Sequence, residues 1–595
     1  MTVGATLSTG WAMDRDAVLA LSFMIGVALL SAVIGSIGVR VARSTSDFLV
    51  ASRTVGPVAN AGAISGEYLS AASFLGIAGL ILRDGVDALW YPVGFTAGYL
   101  ALVLFVAAPL RRSGAYTVPD FAEARLQSRT LRTLCTVFVV LIGTLYLLPQ
   151  LQGAGLTLAT VTGLDPWIGA LASAVIVVST VVLGGMRSIT FVQAFQYWLK
   201  FAALALPAVI GLIFFFSDER TFDRQAPPQF PERTTVQIRT DVVLQVASPV
   251  VFEAVGEIDG RVLDGDTVRW EPGEHTVRAG AELEFPGGAA VPVVAGAPVD
   301  DSDWLMPYAG VQEGGVLGTY SLIIALFLGT MGLPHVLVRF YTNPDGRAAR
   351  RTAVVVLGML GMFYVVVTAL GALSRLYSPQ LLVSGDTDAA VLLLPAAVLG
   401  SGWAGGLLGA VVAAGAWAAF LSTSSGLIVS VAGVLSTDVM RSGKIRDFRL
   451  AAVLAGIVPL GLSLGVSRLD FSEAVALVFA LAASTFCPLL VLGIWWRGLT
   501  DHGAIAGVLV GGTLSAGAVT LALTGLVPEG AVTVLLYRPA LITVPAAFLV
   551  MVVVSKLTAK RRPPDTEAVL LRMHAPERLG LGRDRLNDRF RAGDR

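Results

Sequence analysis

The sequence has few charged residues, few cysteines and few histidines for its length. Only 14% of its 595 residues are charged, against about 25% in average soluble domains. Both cysteines, Cys135 and Cys487, lie in apolar runs, which excludes a disulfide framework and a cysteine-based metal site. The four histidines are scattered without metal-ligand or triad spacing, which argues against an enzyme. A net charge of zero disfavours a strongly basic nucleic-acid binder.

Long hydrophobic runs dominate instead. Apolar residues make up 55% of the chain, the mean hydropathy is +0.74, and runs long enough to cross a bilayer recur throughout. The sequence predicts an all-α polytopic membrane protein with about thirteen transmembrane helices. The approximate spans are 17–40, 57–82, 86–109, 131–151, 163–184, 190–216, 315–338, 352–375, 403–437, 450–467, 471–496, 503–526 and 532–556. Residues 385–399 are interpreted as an external loop, which keeps the later basic loops on the same side as the earlier ones.

The basic residues set the expected orientation. Arginines and lysines cluster in alternate loops, near residues 40–53, 111–132, 339–351 and 441–449. The positive-inside rule places these loops in the cytoplasm. We therefore expect a multi-pass protein of the plasma (inner) membrane, with its N-terminus outside and its C-terminal tail inside.

One segment of about a hundred residues differs from the rest. Residues 217–314 contain polar alternations separated by Pro-Gly and Gly-Gly turns, which predict a small β-rich insert. They carry 18 acidic and seven basic residues, a net charge of −11, so the remainder of the chain carries +11. The helix count places the insert outside the cell. The predicted divisions are 1–216 and 315–556 as two transmembrane parts, 217–314 as the insert, and 557–595 as a cytoplasmic tail.

The insert is interpreted as a loop domain without a ligand of its own. An acidic surface repels anionic solutes, which makes a substrate-gathering role less favourable. An unknown partner of the insert is left open, as is a receptor role.

A carboxylate and several small residues occupy the second span. Glu67 lies about ten residues into it, or about 15 Å deep at 1.5 Å per residue, close to the midplane. Two glycines and three serines surround it between residues 65 and 76. This pattern predicts a locally unwound helix whose free carbonyls can coordinate a cation, whereas the alternative is ordinary small-residue packing.

Two further sites interrupt apolar spans. Gly329–His335 combines glycines with a proline that removes a backbone donor, which predicts a second broken helix. Ser422–Ser425 places four hydroxyls in a long apolar helix, where they can serve as oxygen ligands for Na⁺ or bond to their own helix. Two broken helices, one in each half of the chain, are typical of inverted-repeat secondary transporters.

Four strings carry a family resemblance. Asp47–Arg53 (DFLVASR), Glu67–Gly79 (EYLSAASFLGIAG), Gly329–Phe340 (GTMGLPHVLVRF) and Ser422–Asp438 are similar to motifs of the solute:sodium symporter family, most closely its acetate and short-chain monocarboxylate branch. The resemblance covers roughly residues 17–215 and 315–556. It implies a five-plus-five inverted-repeat core, with the insert between the two repeats.

The resemblance also implies a cation site. Backbone carbonyls of the first broken helix and small or hydroxyl residues of the ninth span would build it. The matching cation-binding positions are Gly66, Leu69, Ala419, Ser422 and Thr423. Many relatives carry an aspartate in the sixth span that assists ion release, and this chain has Gln193 there.

Lys200 leaves the coupling ion open. It lies about ten residues into the sixth span, at a depth similar to Glu67, so an ion pair between the two could titrate during transport. The alternative is a snorkelling or structural lysine. Retained hydroxyls at Ser422 and Thr423 favour Na⁺, while in some proton-coupled transporters of the broader fold a lysine amine occupies the sodium position. Glu67, Lys200 and Gln193 are therefore the candidate coupling or gating residues.

A small carboxylate suits the helix breaks as substrate, because half-helix N-termini favour anions. The candidate substrate-binding residues are Ser65, Ser70, Tyr146, Gln150, Gly329, Thr330 and Gly332. No dense set of arginines is expected in the core, which favours a monoanion.

The predicted function is import of an acetate-like monocarboxylate by symport with a cation, Na⁺ by preference, without any other cofactor. The alternatives are proton coupling, another solute such as proline or a vitamin carboxylate, and a transporter-like nutrient sensor.

Overall fold

The computed structural model describes residues 15–41, 51–217, 222, 227–307, 315–400, 402–441, 444–465, 471–524 and 531–581. The predictions for the N-terminus before residue 15 and for the tail after residue 581 lie outside these ranges. The helices are α1 (Arg15–Val41), α2 (Pro57–Tyr68), α3 (Ile77–Asp84), α4 (Trp90–Phe105), α5 (Ala107–Arg112), α6 (Val118–Leu126), α7 (Arg129–Thr162), α8 (Pro166–Ser217), α9 (Asp301–Leu305), α10 (Gly315–Gly332), α11 (Pro334–Phe340), α12 (Gly346–Tyr377), α13 (Gln380–Ser384), α14 (Ala390–Leu399), α15 (Trp403–Val434), α16 (Ile445–Ser463), α17 (Phe471–Trp495), α18 (Asp501–Thr524), α19 (Ala531–Tyr537), α20 (Ala540–Leu557) and α21 (Thr566–His574).

Within the described ranges, ten helices are long and apolar enough to cross a membrane. The longest, α8, has 52 residues and spans about 78 Å if straight, far more than one bilayer. Gly185 interrupts it with a φ of 57°, a conformation that glycine adopts readily, so α8 comprises two successive segments. The total of thirteen spans and the inverted-repeat core remain predictions.

The region around residues 385–437 divides between a short helix and a long one. Residues 403–434 form the single helix α15, in agreement with the expected long span. The expected external loop at 385–399 is wrong in part, because Ala390–Leu399 forms α14. Its run of alanines and leucines has high helix propensity, which a loop assignment based on charge alone overlooks.

Both predicted helix breaks are present. The second span consists of α2, an unwound stretch at Leu69 and Ser70, a π-helical segment at Ala72–Gly76, and α3. The other break separates α10 from α11 at Leu333, which has extended backbone angles, and Pro334 then opens α11 at its first position. Proline fits there because the first helical residue has no intrahelical partner for an amide hydrogen.

The insert is β-rich, as expected from its alternating pattern. Seven antiparallel strands run in the order β1-β6-β3-β5-β2-β7, and β4 pairs with β3. The strands are β1 (Thr234–Gln237), β2 (Val242–Val246), β3 (Val250–Ile258), β4 (Arg261–Trp270), β5 (Gly273–Val277), β6 (Glu282–Phe285) and β7 (Val293–Val294). Phe252 packs between Phe285 and Trp270, with ring centroids 4.8 and 4.5 Å away, and these aromatics anchor the core of the sheet.

The insert docks firmly on the helical part. Its apolar core continues into Leu381–Val383 of α13 and into Leu82 of α3. Behind the sheet, Asp301 of α9 pairs with the fully buried Arg375 of α12 at 2.8 Å. The indole nitrogen of Trp304 donates to the carbonyl of Ile81 at 2.7 Å. Together these contacts join the insert to the end of the broken second span.

Candidate functional site

The ammonium group of Lys200 lies among the atoms that were predicted to bind a cation. Its Nζ donates to the Leu69 carbonyl at 2.8 Å, to Ser422 Oγ at 3.0 Å and to the Gly66 carbonyl. All four residues are buried. The side-chain nitrogen of a lysine therefore occupies the junction between the unwound stretch after α2 and helix α15.

The remaining predicted ligands complete the same junction. Ser422 Oγ donates to the Gly66 carbonyl at 2.6 Å and contacts the Ala419 carbonyl at 3.1 Å. Thr423 Oγ1 donates to the Glu67 carbonyl at 2.7 Å. These bonds satisfy carbonyls that the helix break leaves without intrahelical partners. The five predicted cation-binding positions thus lie together, and the α15 hydroxyls hold the broken helix.

Glu67 does not pair with Lys200 as the sequence suggested. Its Oε2 accepts from Arg339 Nε at 2.6 Å, and both side chains are buried. The interpretation that Arg339 belongs to a cytoplasmic loop is also wrong, because it lies within α11. Burying both charges is tolerated because they neutralise each other at hydrogen-bond distance.

Gln193 links this ion pair to the lysine site. Its Oε1 accepts from the Arg339 guanidinium, and its Nε2 donates to the Ser422 carbonyl at 2.6 Å. Arg339 also donates to Thr190 Oγ1 at 3.0 Å. A carboxylate at position 193 would have no hydrogen to donate to the Ser422 carbonyl. The amide therefore connects the two charged groups in a way that an aspartate would not.

Two glycines permit the close packing of these helices. A Cβ on Gly66 would overlap the Gln193 carbonyl, and a Cβ on Gly426 of α15 would overlap the Glu67 carboxylate. The ion pair between Glu67 of α2 and Arg339 of α11 therefore requires a residue without a Cβ at position 426 of α15.

Gly426→Ala is expected to lower stability by about 1–3 kcal/mol, the usual cost of overpacking a tight interior. The new methyl would push Glu67 away from Arg339. Gly409 on the same helix has open space around it, so Gly409→Ala is the matched control and should be neutral or slightly stabilising. Thermal unfolding in detergent measures both. Equal melting temperatures for the two variants would contradict the packing argument.

Several substrate candidates gather beside the first break. Gln150 Oε1 accepts from the Ala71 amide at 3.0 Å, while its Nε2 has no partner among the described residues. Tyr146 OH donates to Ser70 Oγ at 3.5 Å. Thr330 Oγ1 lies 2.9 Å from the hydroxyl of Tyr68. Ser70, Tyr146, Gln150 and Thr330 therefore share one buried polar region.

The other substrate candidates lie elsewhere. Ser65 Oγ points to Met359 Sδ of α12, 3.7 Å away. Gly329 and Gly332 face α17, because an added Cβ would lie 2.5 Å from the carbonyls of Phe479 and Ala482 respectively. These glycines allow α10 to pack against α17, which is the small-residue packing role.

Three buried residues here were not among the predicted site residues. Tyr68 contacts the rings of Phe95 and Tyr99 at centroid distances of 5.9 and 5.6 Å. His335 lies 5.2 Å from the Tyr146 ring, and both its ring nitrogens lack a partner among the described residues. Arg339 follows Pro334 in a run of mostly apolar residues. That apolar context could have indicated that Arg339 is buried.

Comparison with known proteins identifies the family of the chain. The model of the sodium:solute symporter family matches residues 48–249 and 299–511, more than half of the chain. An uncharacterized symporter of Bacillus subtilis, YwcA, is 29% identical over 526 residues, covering 85% of this chain and 88% of the relative. A monocarboxylic acid transporter of Corynebacterium glutamicum is 28% identical over 496 residues, covering 79% and 78%.

Among solved structures, a Na⁺-coupled sialic acid symporter in a substrate-bound outward-open state aligns with a TM-score of 0.62 at 14% identity. The alignment covers 91% of this chain and 98% of that one, which establishes a shared fold. Both the family and the fold are those of secondary transporters rather than enzymes. Since the family model matches most of its length, the chain belongs to the sodium:solute symporter family.

Proposed function

We propose that the protein imports a small monocarboxylate by symport with protons, and that Lys200 carries the coupling charge. The observation that carries this proposal is the contact of Lys200 Nζ with the Leu69 carbonyl and Ser422 Oγ, at 2.8 and 3.0 Å. These are atoms that the family resemblance assigns to Na⁺. An ammonium and a sodium ion cannot occupy the same oxygen cluster, because they would overlap and repel.

The sequence alone favoured Na⁺, on the strength of Ser422 and Thr423. In the structure, both hydroxyls already donate to backbone carbonyls of the broken helix. The presence of these two hydroxyls is therefore explained by the hydrogen bonds that hold the broken helix, without an ion as ligand. Sodium coupling remains the second candidate, supported by the family and by the fold shared with a Na⁺-coupled symporter.

The substrate assignment rests on chemistry and on a relative. Gln150 Nε2 and His335 are buried without partners among the described residues, and Tyr146 lies between them, one helical turn from Gln150 and in ring contact with His335. Such donors suit one carboxylate, and the surrounding aromatic rings suit a short apolar tail. The relative from C. glutamicum is a monocarboxylic acid transporter.

The proposed cycle is alternating access. When charged, Lys200 holds the broken helix against α15 through three acceptors, and the anion binds beside it. Loss of the proton removes the charge and weakens these bonds, which frees the α2 junction to open on the other side. We propose that the insert faces the outside and the basic loops face the cytoplasm.

Energetics limit the accumulation. One proton carried with one monoanion moves no net charge, so the membrane potential contributes nothing. A tenfold proton gradient contributes about 1.4 kcal/mol, enough for tenfold accumulation.

Uptake into proteoliposomes tests the proposal. Labelled acetate, propionate and pyruvate are offered while Na⁺ and the pH gradient are varied independently. We expect an inward proton gradient to drive uptake into proteoliposomes without Na⁺, at a rate above the passive entry of the protonated acids into protein-free liposomes. Uptake that requires Na⁺ at every fixed pH would overturn proton coupling and favour the sodium candidate, and failure with all three acids would overturn the substrate class.

A further inference from the structure

A long apolar groove runs along the lipid-facing side of the molecule, between α1 and the first segment of α8. It has a volume of about 770 Å³. Met24, Ala28 and Ala32 form one wall, Ala172 and Ile176 form the other, and Trp417 of α15 lines it as well. This groove lies apart from the buried site around Lys200.

Three of the hydroxyls that line the groove donate to backbone carbonyls. Ser36 Oγ donates to the Val33 carbonyl at 2.7 Å, Thr180 Oγ1 to the Ile176 carbonyl at 2.8 Å, and Ser188 Oγ to the Gly35 carbonyl at 2.7 Å. These hydroxyls therefore need no bond to an occupant. The apolar walls therefore favour a hydrocarbon occupant.

The dimensions limit what can fit. Along α1 the groove extends from Leu21 to Ser36, about 22 Å at 1.5 Å per residue. The volume then corresponds to a mean cross-section of about 35 Å² over that length. A single extended hydrocarbon chain fits.

One end of the groove carries positive charge. Leu183 lines that end, and the exposed Arg449 of α16 donates to the adjacent Val182 carbonyl at 3.0 Å. Arg187 follows in the same turn region of α8. Basic side chains at the membrane surface attract anionic headgroups.

We propose that the groove binds one acyl chain of an anionic phospholipid, with its headgroup beside Arg449. The two walls give the chain packing contacts that a lipid at a smooth helix surface lacks, and such contacts drive association inside a bilayer. The occupant would also contact Trp417, five residues before Ser422, and would brace α15 at the level of the lysine site.

Native mass spectrometry of the purified full-length protein tests this proposal. Delipidated protein is titrated with phosphatidylglycerol or phosphatidylcholine in detergent, and bound lipids are counted. We expect one tightly bound phosphatidylglycerol in the wild type. Ala172→Phe fills the groove and should weaken that binding at least tenfold. Ala546→Phe, at a half-buried alanine of α20 outside the groove, is the matched control and should bind as the wild type does.

A second pair of measurements separates the chain from the headgroup. Arg449→Gln should remove the preference for phosphatidylglycerol over phosphatidylcholine, while one lipid of either kind still binds. Ala28→Phe narrows the groove from the α1 wall and replaces Ala172→Phe should the latter fail to fold. Unchanged lipid binding in a folded groove-filling variant would overturn the proposal, as would occupancy by a second copy of the chain.

Discussion

Lys200→Ala is expected to abolish proton-driven accumulation, lowering initial uptake at least about 100-fold. The variant removes the amine that the proposed cycle protonates and deprotonates, together with its hydrogen bonds to the Leu69 carbonyl and Ser422 Oγ. A 100-fold decrease corresponds to a barrier higher by about 2.8 kcal/mol. Without the ammonium, the carbonyls of Gly66 and Leu69 lose the positive charge that holds the break in place.

The same variant should respond to sodium. Removing the side chain leaves Gly66, Leu69 and Ser422 oxygens around an open space, so Na⁺ should restore part of the uptake in Lys200→Ala and have no effect on the wild type. Lys556→Ala, at the end of α20, is the control and should transport normally. Proton-driven uptake by Lys200→Ala at the wild-type rate would contradict the assigned role.

Arg339→Met is expected to destabilise the folded protein by about 3–5 kcal/mol. The substitution leaves the Glu67 carboxylate buried and without its ionic partner, which is the costly case for a buried pair. It also removes the donor to Gln193 Oε1. Unfolding by heat or denaturant in detergent measures the loss.

The double variant separates the pair from other effects. Glu67→Gln combined with Arg339→Met removes both charges, and we expect it to recover a large part of the stability lost in Arg339→Met. Arg278→Met in the insert breaks an exposed ion pair with Asp241 and should change stability little, because such pairs are screened by water. A double variant as unstable as the sum of the single variants would show that the two residues act independently.

The sequence predicted the two helix breaks well, whereas the cation-binding positions came from the family resemblance and remain predictions. Glycine, proline and hydroxyl residues have strong local preferences, so Gly66, Pro334 and Ser422 could be interpreted without knowing their neighbours. The β-rich insert followed from its alternating pattern for the same reason.

The partners of the charged residues could not be predicted in this way. Depth along a helix indicated that Glu67 and Lys200 lie at one level, but not the direction in which either side chain points. That direction depends on helix rotation and on the packing at Gly66 and Gly426, which only the assembled bundle determines. Arg339 was assigned to a loop because charge counting treats every arginine near the end of a span as solvated.

The docking of the insert has a practical consequence for measuring motion. The sheet shares its apolar core with α13 and α3, and β4 extends as a hairpin with Val262 83% exposed. A small rotation at α13 would produce a larger displacement at the tip of that hairpin. A fluorophore at position 262, paired with a second on a fixed helix, would report the opening of the second span from outside the membrane, without a probe in the transport path.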